Sequence, residues 1–257
     1  MKVTLVAYSE IALKGKKRGQ MESLLRNQVA KFLHRRGFRA KVELEYGRIL
    51  VRGEAPKDLR RMPGVHHLIY ALVLPKLPPT ELVEEVSSLY PKLDQFAVRV
   101  RRADKAYPMK SNELAALIGS KIEGNVNLSS PKVTLYVEIR NEVYVYTSRD
   151  VVEGVGGLPY GSEGTAYVDV TGEEGLLAAA LMARRGVEVV LREPMDGVEE
   201  LARALPKPLV ISRDKFEPIV GVSKGTIIVT RPCVLRKTLE KVRLLLNRHV
   251  SWRICGV

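Results

Sequence analysis

The sequence predicts an α/β chain with an α+β front half and a parallel-sheet rear third. Three patterns carry that expectation. Residues 1–75 read strand, helix, strand, strand, helix, strand, which is the ferredoxin-like split βαβ order. Residues 76–165 combine two helical segments with a strand and a hairpin. Residues 166–257 alternate strand and helix, the rhythm of a parallel sheet with covering helices. At 257 residues the chain has room for two or three such domains, each with its own core.

In the first block Lys2–Tyr8 is the opening strand. Gly19–Arg36 is a helix, because Met21, Leu24, Leu25, Val29, Phe32 and Leu33 recur at helical spacing and Gly37 stops the run. Phe38–Tyr46 and Ile49–Arg52 pair across Gly47 and Arg48, a short helix follows Pro56, and Val65–Leu74 closes the sheet. Pro75, Pro78 and Pro79 then interrupt the pattern and mark a domain boundary.

The second block opens with a helix capped by Thr80. In the strand that follows, Phe96, Val98 and Val100 alternate with Arg99 and Arg101, so apolar and basic side chains take opposite faces. Arg102, Lys105 and Lys110 lie in the connection to a helix for which Ser111 is the N-cap and Glu113 suits the first turn. Leu114, Leu117, Ile118 and Ile122 form its apolar stripe. The helix N-terminus is read as facing the same way as the arginines. Bare N–H groups beside guanidinium groups make a phosphate site, and a solvated basic face is the alternative. A hairpin runs from Val133 to Tyr146 across Arg140, Asn141 and Glu142. Its tyrosines, Tyr136, Tyr144 and Tyr146, alternate on one face, placed either to stack bases or to pack against this block's helices. The block ends in GVGGLPYGSEG, Gly154 to Gly164, where glycine permits sharp turns or a close backbone approach, or else a flexible linker.

In the last block Thr165–Val170 is a strand, followed by a helix ending at Arg184-Arg185-Gly186. Strand Val187–Leu191, helix Val198–Leu205, strand Leu209–Ser212, strand Thr226–Thr230 and helix Val234–Arg248 complete it, with Pro232 at the helix start. This block is short for a complete nucleotide-binding domain.

The chain has 42 basic and 29 acidic side chains, a net charge of +13, unevenly spread. Residues 1–64 carry +10, residues 65–165 carry −1 and residues 166–257 carry +4. Such an excess points to a polyanion, and without a basic amphipathic helix bearing aromatic anchors, nucleic acid is favoured over a membrane. No apolar run approaches the ~18 residues of a membrane span. Two cysteines, Cys233 and Cys255, cannot build a disulfide framework, so a cytoplasmic protein is expected. His34, His66, His67 and His249 lack metal-ligand spacing, and no GxxxxGK loop occurs.

Four segments in order carry a family resemblance. Tyr8-Ser9-Glu10-Ile11-Ala12-Leu13-Lys14-Gly15-Lys16-Lys17-Arg18 resembles the opening motif of the tRNA 4-thiouridine sulfurtransferase (ThiI) family. Phe96–Leu114 is similar to the core of that family's THUMP domain, and Val137–Arg140 with Tyr144–Tyr146 to the hairpin after it. Gly156–Gly164 resembles its connection into the catalytic domain. The resemblance implies an N-terminal ferredoxin-like domain (1–75), a THUMP RNA-binding domain (76–165) and a shortened, degenerate PP-loop-like, Rossmann-like domain (166–257). It implies tRNA as partner, held at the acceptor end, with RNA contacts on Lys14, Lys16, Lys17, Arg18, Arg99, Arg101, Arg102, Lys105, Lys110 and Ser111. A homodimer, and a sulfur-donor or modification-enzyme partner, follow by analogy alone.

The resemblance weakens where the family's nucleotide loop should lie. This chain reads Val170-Thr171-Gly172-Glu173-Glu174-Gly175 there. A carboxylate ~4 Å from a phosphate costs about 4 kcal/mol per unit charge at a partly exposed site, more than a loop hydrogen bond of about 1.5–3 kcal/mol returns. Glu173 and Glu174 read instead as acidic residues complementing a helix dipole. No metal or cofactor is expected on this reading. ATP and Mg²⁺ belong only to the alternative, an active sulfurtransferase with Cys233 as sulfur carrier beside Arg231, Arg236 and Lys237, and Cys255 as the sole available partner. A third reading makes the basic surface a docking face for an acidic protein.

Overall fold

The structure, a computed structural model of this chain, describes residues 2–45, 47–168, 172–211 and 240–247. Two compact units share it, and their segments interleave. One comprises Met1–Ala7, Ala40–Ala55 and Leu68–Val152, the other Tyr8–Arg39, Pro56–His67 and Glu153–Val257.

The first unit is built on one sheet of eight strands. These are β1 (Lys2–Ala7), β2 (Val42–Glu45), β3 (Arg48–Val51), β4 (His67–Leu74), β5 (Phe96–Arg102), β6 (Val133–Ile139), β7 (Val143–Thr147) and β8 (Val151–Glu153). Their order is β2-β3-β1-β4-β7-β6-β5, with β8 against β4. The stretch β2-β3-β1-β4 is the ferredoxin-like order read from the sequence. Pairing of β4 with β7 at Leu72–Val145 carries the same sheet across the proline-marked boundary. That long-range pairing leaves no local trace in the sequence.

Helix α1 (Arg18–Arg35) belongs to the second unit, and α2 (Pro79–Leu89) and α3 (Ser111–Lys121) to the first. Apolar side chains of β5, β6 and β7 pack against α2 and α3 on one face of the sheet: Phe96, Val98, Leu135, Val137 and Val145 meet Leu82, Val86, Leu114 and Ile118. The other face gathers Val3, Leu5, Leu50, Ile69 and Ala71 with Tyr144 and Tyr146. Fully burying each large apolar side chain stabilises by about 1.5–3 kcal/mol. Thr80 is not the cap of α2; the helix starts at Pro79, whose fixed φ suits the first helical position. Leu117, expected in the stripe of α3, is 44% exposed.

The second unit contains a three-stranded parallel sheet, β11-β10-β9, from β9 (Thr165–Val168), β10 (Glu188–Leu191) and β11 (Val210–Ile211). Helix α4 (Gly172–Arg184) joins β9 to β10, and α5 (Val198–Ala204) joins β10 to β11. Residues 240–246 are helical. Val168, Leu177, Ala180, Leu191, Leu201 and Leu245 share its core.

Two helix ends in this unit stop as glycine predicts. After α1, Gly37 at φ +71 donates to His34 O and Phe38 donates to Leu33 O, at 2.9 and 3.0 Å. After α4, Gly186 at φ +87 donates to Ala183 O and Val187 to Met182 O, each at 3.0 Å. Both are the paired-bond cap that needs a left-handed residue.

Candidate nucleic-acid interface

The expected RNA-contacting residues fall in both units. Lys14, Lys16, Lys17 and Arg18 belong to the second unit, and Arg99 through Ser111 to the first.

In the second unit, two tight 3-10 turns, Glu10–Leu13 and Gly15–Lys17, feed directly into α1. Charged side chains in and beside these turns hold them in place. Lys14 Nζ pairs with Glu163 Oε1 at 2.8 Å, and Glu10 with Arg185 at 2.8 Å. That lysine, first, holds the Glu163 carboxyl below the usual range. Arg18 Nε donates to Glu22 Oε1 at 2.7 Å, and the Tyr8 hydroxyl donates to the same oxygen. Burial, then the Glu22 bond, pushes Tyr8 up to about 12. Lys16 and Lys17 are exposed and have no ion pair among the described residues. Leu13, beside them, is 87% exposed.

In the first unit, β5 is the edge strand, running parallel to β6 with Arg99 opposite Tyr136 and Arg101 opposite Glu138. Arg99 and Arg101 are exposed. They do not face the same way as α3, because Phe96 and Val98 are the residues packed against that helix and alternation turns the arginines to the opposite face. The position before the first residue of α3 is Lys110, not Ser111, and the Lys110 amide donates to Glu113 Oε2 at 3.3 Å. The helix start therefore carries a carboxylate of its own. Arg102 turns toward the helical side and braces the loop, Nη1 donating to Tyr107 O at 2.9 Å. Lys105 and Lys110 are exposed in that loop, and Ser111 is partly buried.

Beneath the arginines lies a buried ionic cluster that the sequence did not announce. Glu138, 1% exposed, accepts from Arg48 Nη2 at 2.9 Å, Arg140 Nε at 2.9 Å, Arg140 Nη2 at 2.7 Å and the Tyr146 hydroxyl at 2.8 Å. Burial pushes this carboxyl up, but Arg48 and Arg140 outweigh it and hold it below the ordinary range. Tyr146 is raised, by burial first and then by Glu138. Alongside, Arg52 bridges Glu43 at 2.9 Å and Glu142 at 2.6 Å. Tyr144 and Tyr146 are buried in the cluster with Val3, Leu5 and Leu50, on the face away from α2 and α3, so they neither stack bases nor pack on those helices. Only Tyr136 stays partly exposed, its ring stacked on Tyr146 with centroids 5.1 Å apart.

At the β9–α4 junction Gly172 opens the helix at φ +69, Glu173 is exposed in the first turn and Gly175 is packed inside. A carboxylate in the first turn suits the helix dipole. Among the described residues no cluster of His, Cys, Asp and Glu could hold a metal, and no helix is long and apolar enough to cross a membrane. Cys233, Cys255, Arg231, Arg236 and Lys237 lie outside the described residues.

Comparison with known families is decisive for the front of the chain. The ThiI ferredoxin-like domain matches residues 3–68, and the THUMP domain matches residues 80–148. The chain belongs to the ThiI family of THUMP proteins. A probable tRNA sulfurtransferase of Brevibacillus brevis is 34% identical over 202 residues, covering 72% of this chain and 50% of that protein. The tRNA sulfurtransferase of Pyrobaculum aerophilum is 34% identical over 218 residues, covering 80% of this chain and 44% of that protein. Among solved structures, PH1313 of Pyrococcus horikoshii aligns with a TM-score of 0.67 at 27% identity, covering 83% of this chain and 79% of that one. A 4-thiouridine synthetase captured with RNA and bound ATP aligns with a TM-score of 0.56 at 26% identity, covering 78% of this chain and 56% of that one. In these two sulfurtransferase alignments the ThiI-family chain spans half or less of its relative. Lys14 to Arg18 lie inside the ferredoxin-like match, and Arg99 to Ser111 inside the THUMP match.

Proposed function

We propose that this chain is a tRNA-binding THUMP protein accessory to tRNA modification, gripping the acceptor end without an ATP-pyrophosphatase reaction of its own. One observation carries the reading. Lys16, Lys17, Arg99 and Arg101 are exposed and lack an anionic partner among the described residues, and all four lie in the two family-matched regions. Lys105 and Lys110 add charge in the same THUMP region. Lys14, Arg18 and Arg102 serve as braces that shape the two basic segments, and Ser111 sits at the start of α3. Phosphate contacts of this kind give affinity and register without reading sequence. The relative captured with RNA supports a polynucleotide ligand.

The acidic first turn of α4 supports the second half of the proposal. Glu173 stands where the family resemblance calls for a phosphate-facing loop. The test is a titration of unmodified tRNA with and without ATP and Mg²⁺. We expect binding that ATP does not alter and no release of pyrophosphate. A flat response to tRNA would end the first half, and ATP-dependent binding with pyrophosphate release would end the second.

The names of the relatives favour one other reading, an active sulfurtransferase with Cys233 as sulfur carrier. Supplying a sulfide source to the same mixture decides it. Formation of 4-thiouridine that Cys233→Ala abolishes would establish this reading in place of ours.

A further inference from the structure

We propose that Glu163 is a built-in competitor of RNA: in the free chain its carboxylate takes the place of a phosphate against Lys14, and bound RNA displaces it. The inference rests on the RNA-binding reading above and deepens it with a regulatory residue that lies outside both family-matched regions.

The contact has the chemistry of a phosphate contact. Lys14 Nζ meets Glu163 Oε1 at 2.8 Å across 149 residues of chain, and each side chain is 32% exposed. An anionic oxygen held by an ammonium at a solvent-facing position is what an RNA phosphate would offer the same lysine. Lys14 holds the Glu163 carboxyl below the usual range, and Lys17 and Arg185 act on it in the same direction. All four residues belong to the second unit. Arg185 is already engaged by Glu10 at 2.8 Å, so Lys14 and Lys17 are the cations that an incoming phosphate would find.

Neither segment depends on the bridge for its shape. The Glu163 amide donates to Gly186 O at 3.0 Å and the Glu188 amide to Gly164 O at 2.8 Å, which fixes the backbone on both sides of the carboxylate. The Lys14 amide donates to Ile11 O and the Lys17 amide to Lys14 O, each at 3.1 Å, which fixes the basic turn in the same way. A solvent-facing ion pair adds little stability and is weakened by salt, so this one can open while both backbones stay in place. A phosphodiester carries the same unit charge as the carboxylate, but RNA brings neighbouring phosphates, for which Lys16 and Lys17 stand exposed. Contacts made together favour the polyanion over the tethered carboxylate, whereas a single small anion has no such advantage.

The test titrates unmodified tRNA, over a series of salt concentrations, against the whole chain as wild type, Glu163→Gln, Lys14→Met and the double variant. Glu163→Gln keeps the shape of the side chain, removes its charge and should leave the melting temperature unchanged. It should bind tRNA about two- to fivefold more tightly than wild type, because no bridge has to open first. Its log K against log[salt] should be steeper by about 0.7–0.9, the mark of one more phosphate contact. Lys14→Met should cost the Glu163→Gln protein about two- to fivefold more affinity than it costs the wild type, where part of what the lysine gains from RNA is lost from Glu163. Unchanged or weaker binding by Glu163→Gln would make the bridge a brace alone and overturn the proposal while RNA binding stands. Additive effects of the two substitutions would also overturn it, by reducing Glu163 to a general repulsive charge. If the wild-type protein binds no tRNA at low salt, the RNA reading fails and the competitor with it.

Discussion

Glu138 shows how one residue can set the character of a surface it never reaches. A carboxylate that is 1% exposed is costly unless paired, and here two guanidinium groups and a phenol satisfy it. Glu138→Gln should destabilise the protein by about 3–5 kcal/mol, since it strands Arg48 and Arg140 beside a neutral amide. The pH dependence follows from the depressed carboxyl. A carboxyl held below its unfolded value of about 4.3 contributes stability that is present above that pH and fades as pH falls through the folded value. Denaturant unfolding of the wild-type protein should weaken below about pH 4, and the Glu138→Gln curve should be flatter over that range. Equal slopes for the two proteins would contradict the assignment.

Among the elements, the glycine-rich segment from Gly154 to Gly164 is where sequence reading left two outcomes open and the structure chose one. Residues 154–160 are buried. The Gly156 amide donates to Val65 O at 2.7 Å, and the Val155 amide donates to Arg60 O at 2.8 Å, which is the behaviour of a packed strap and not of a flexible tether. A Cβ at Gly157 would sit 2.0 Å from Arg184 O, on a backbone at φ +83. Gly157→Ala should therefore cost about 2 kcal/mol or more, read as a lower denaturation midpoint with unchanged cooperativity. Gly164→Ala meets nothing within 4 Å, although at φ +92 it still carries backbone strain, and should cost less. A Gly157→Ala protein as stable as wild type would return the segment to the status of a linker. Helices α1 and α4 were legible because periodic apolar residues and a terminal glycine are local signals. The relation of the arginines to α3 was not. Alternation separates two faces of a strand, but which face a helix covers is decided by packing with β6 and β7. The fate of Tyr144 and Tyr146 escaped for the same reason, because both faces of the sheet are covered there.

For the whole molecule, the net charge of +13 and the family resemblance point to a polyanionic partner. The geometry sorts the basic residues into braces and displayed charges, a distinction that no spacing rule contains, because the anion that fixes Lys14, Glu163, comes from a distant part of the chain. The central claim is that displayed lysines and arginines bind RNA phosphates. Its most direct measurement is the salt dependence of tRNA affinity for the wild-type protein and for the combined Lys16→Ala, Lys17→Ala, Arg99→Ala, Arg101→Ala variant. With about five phosphates engaged, log K against log[salt] should fall with a slope of about −3.5 to −4.5, and the variant should flatten that slope by about 3. Identical slopes for the two proteins, or a flat response in the wild type, would contradict the claim.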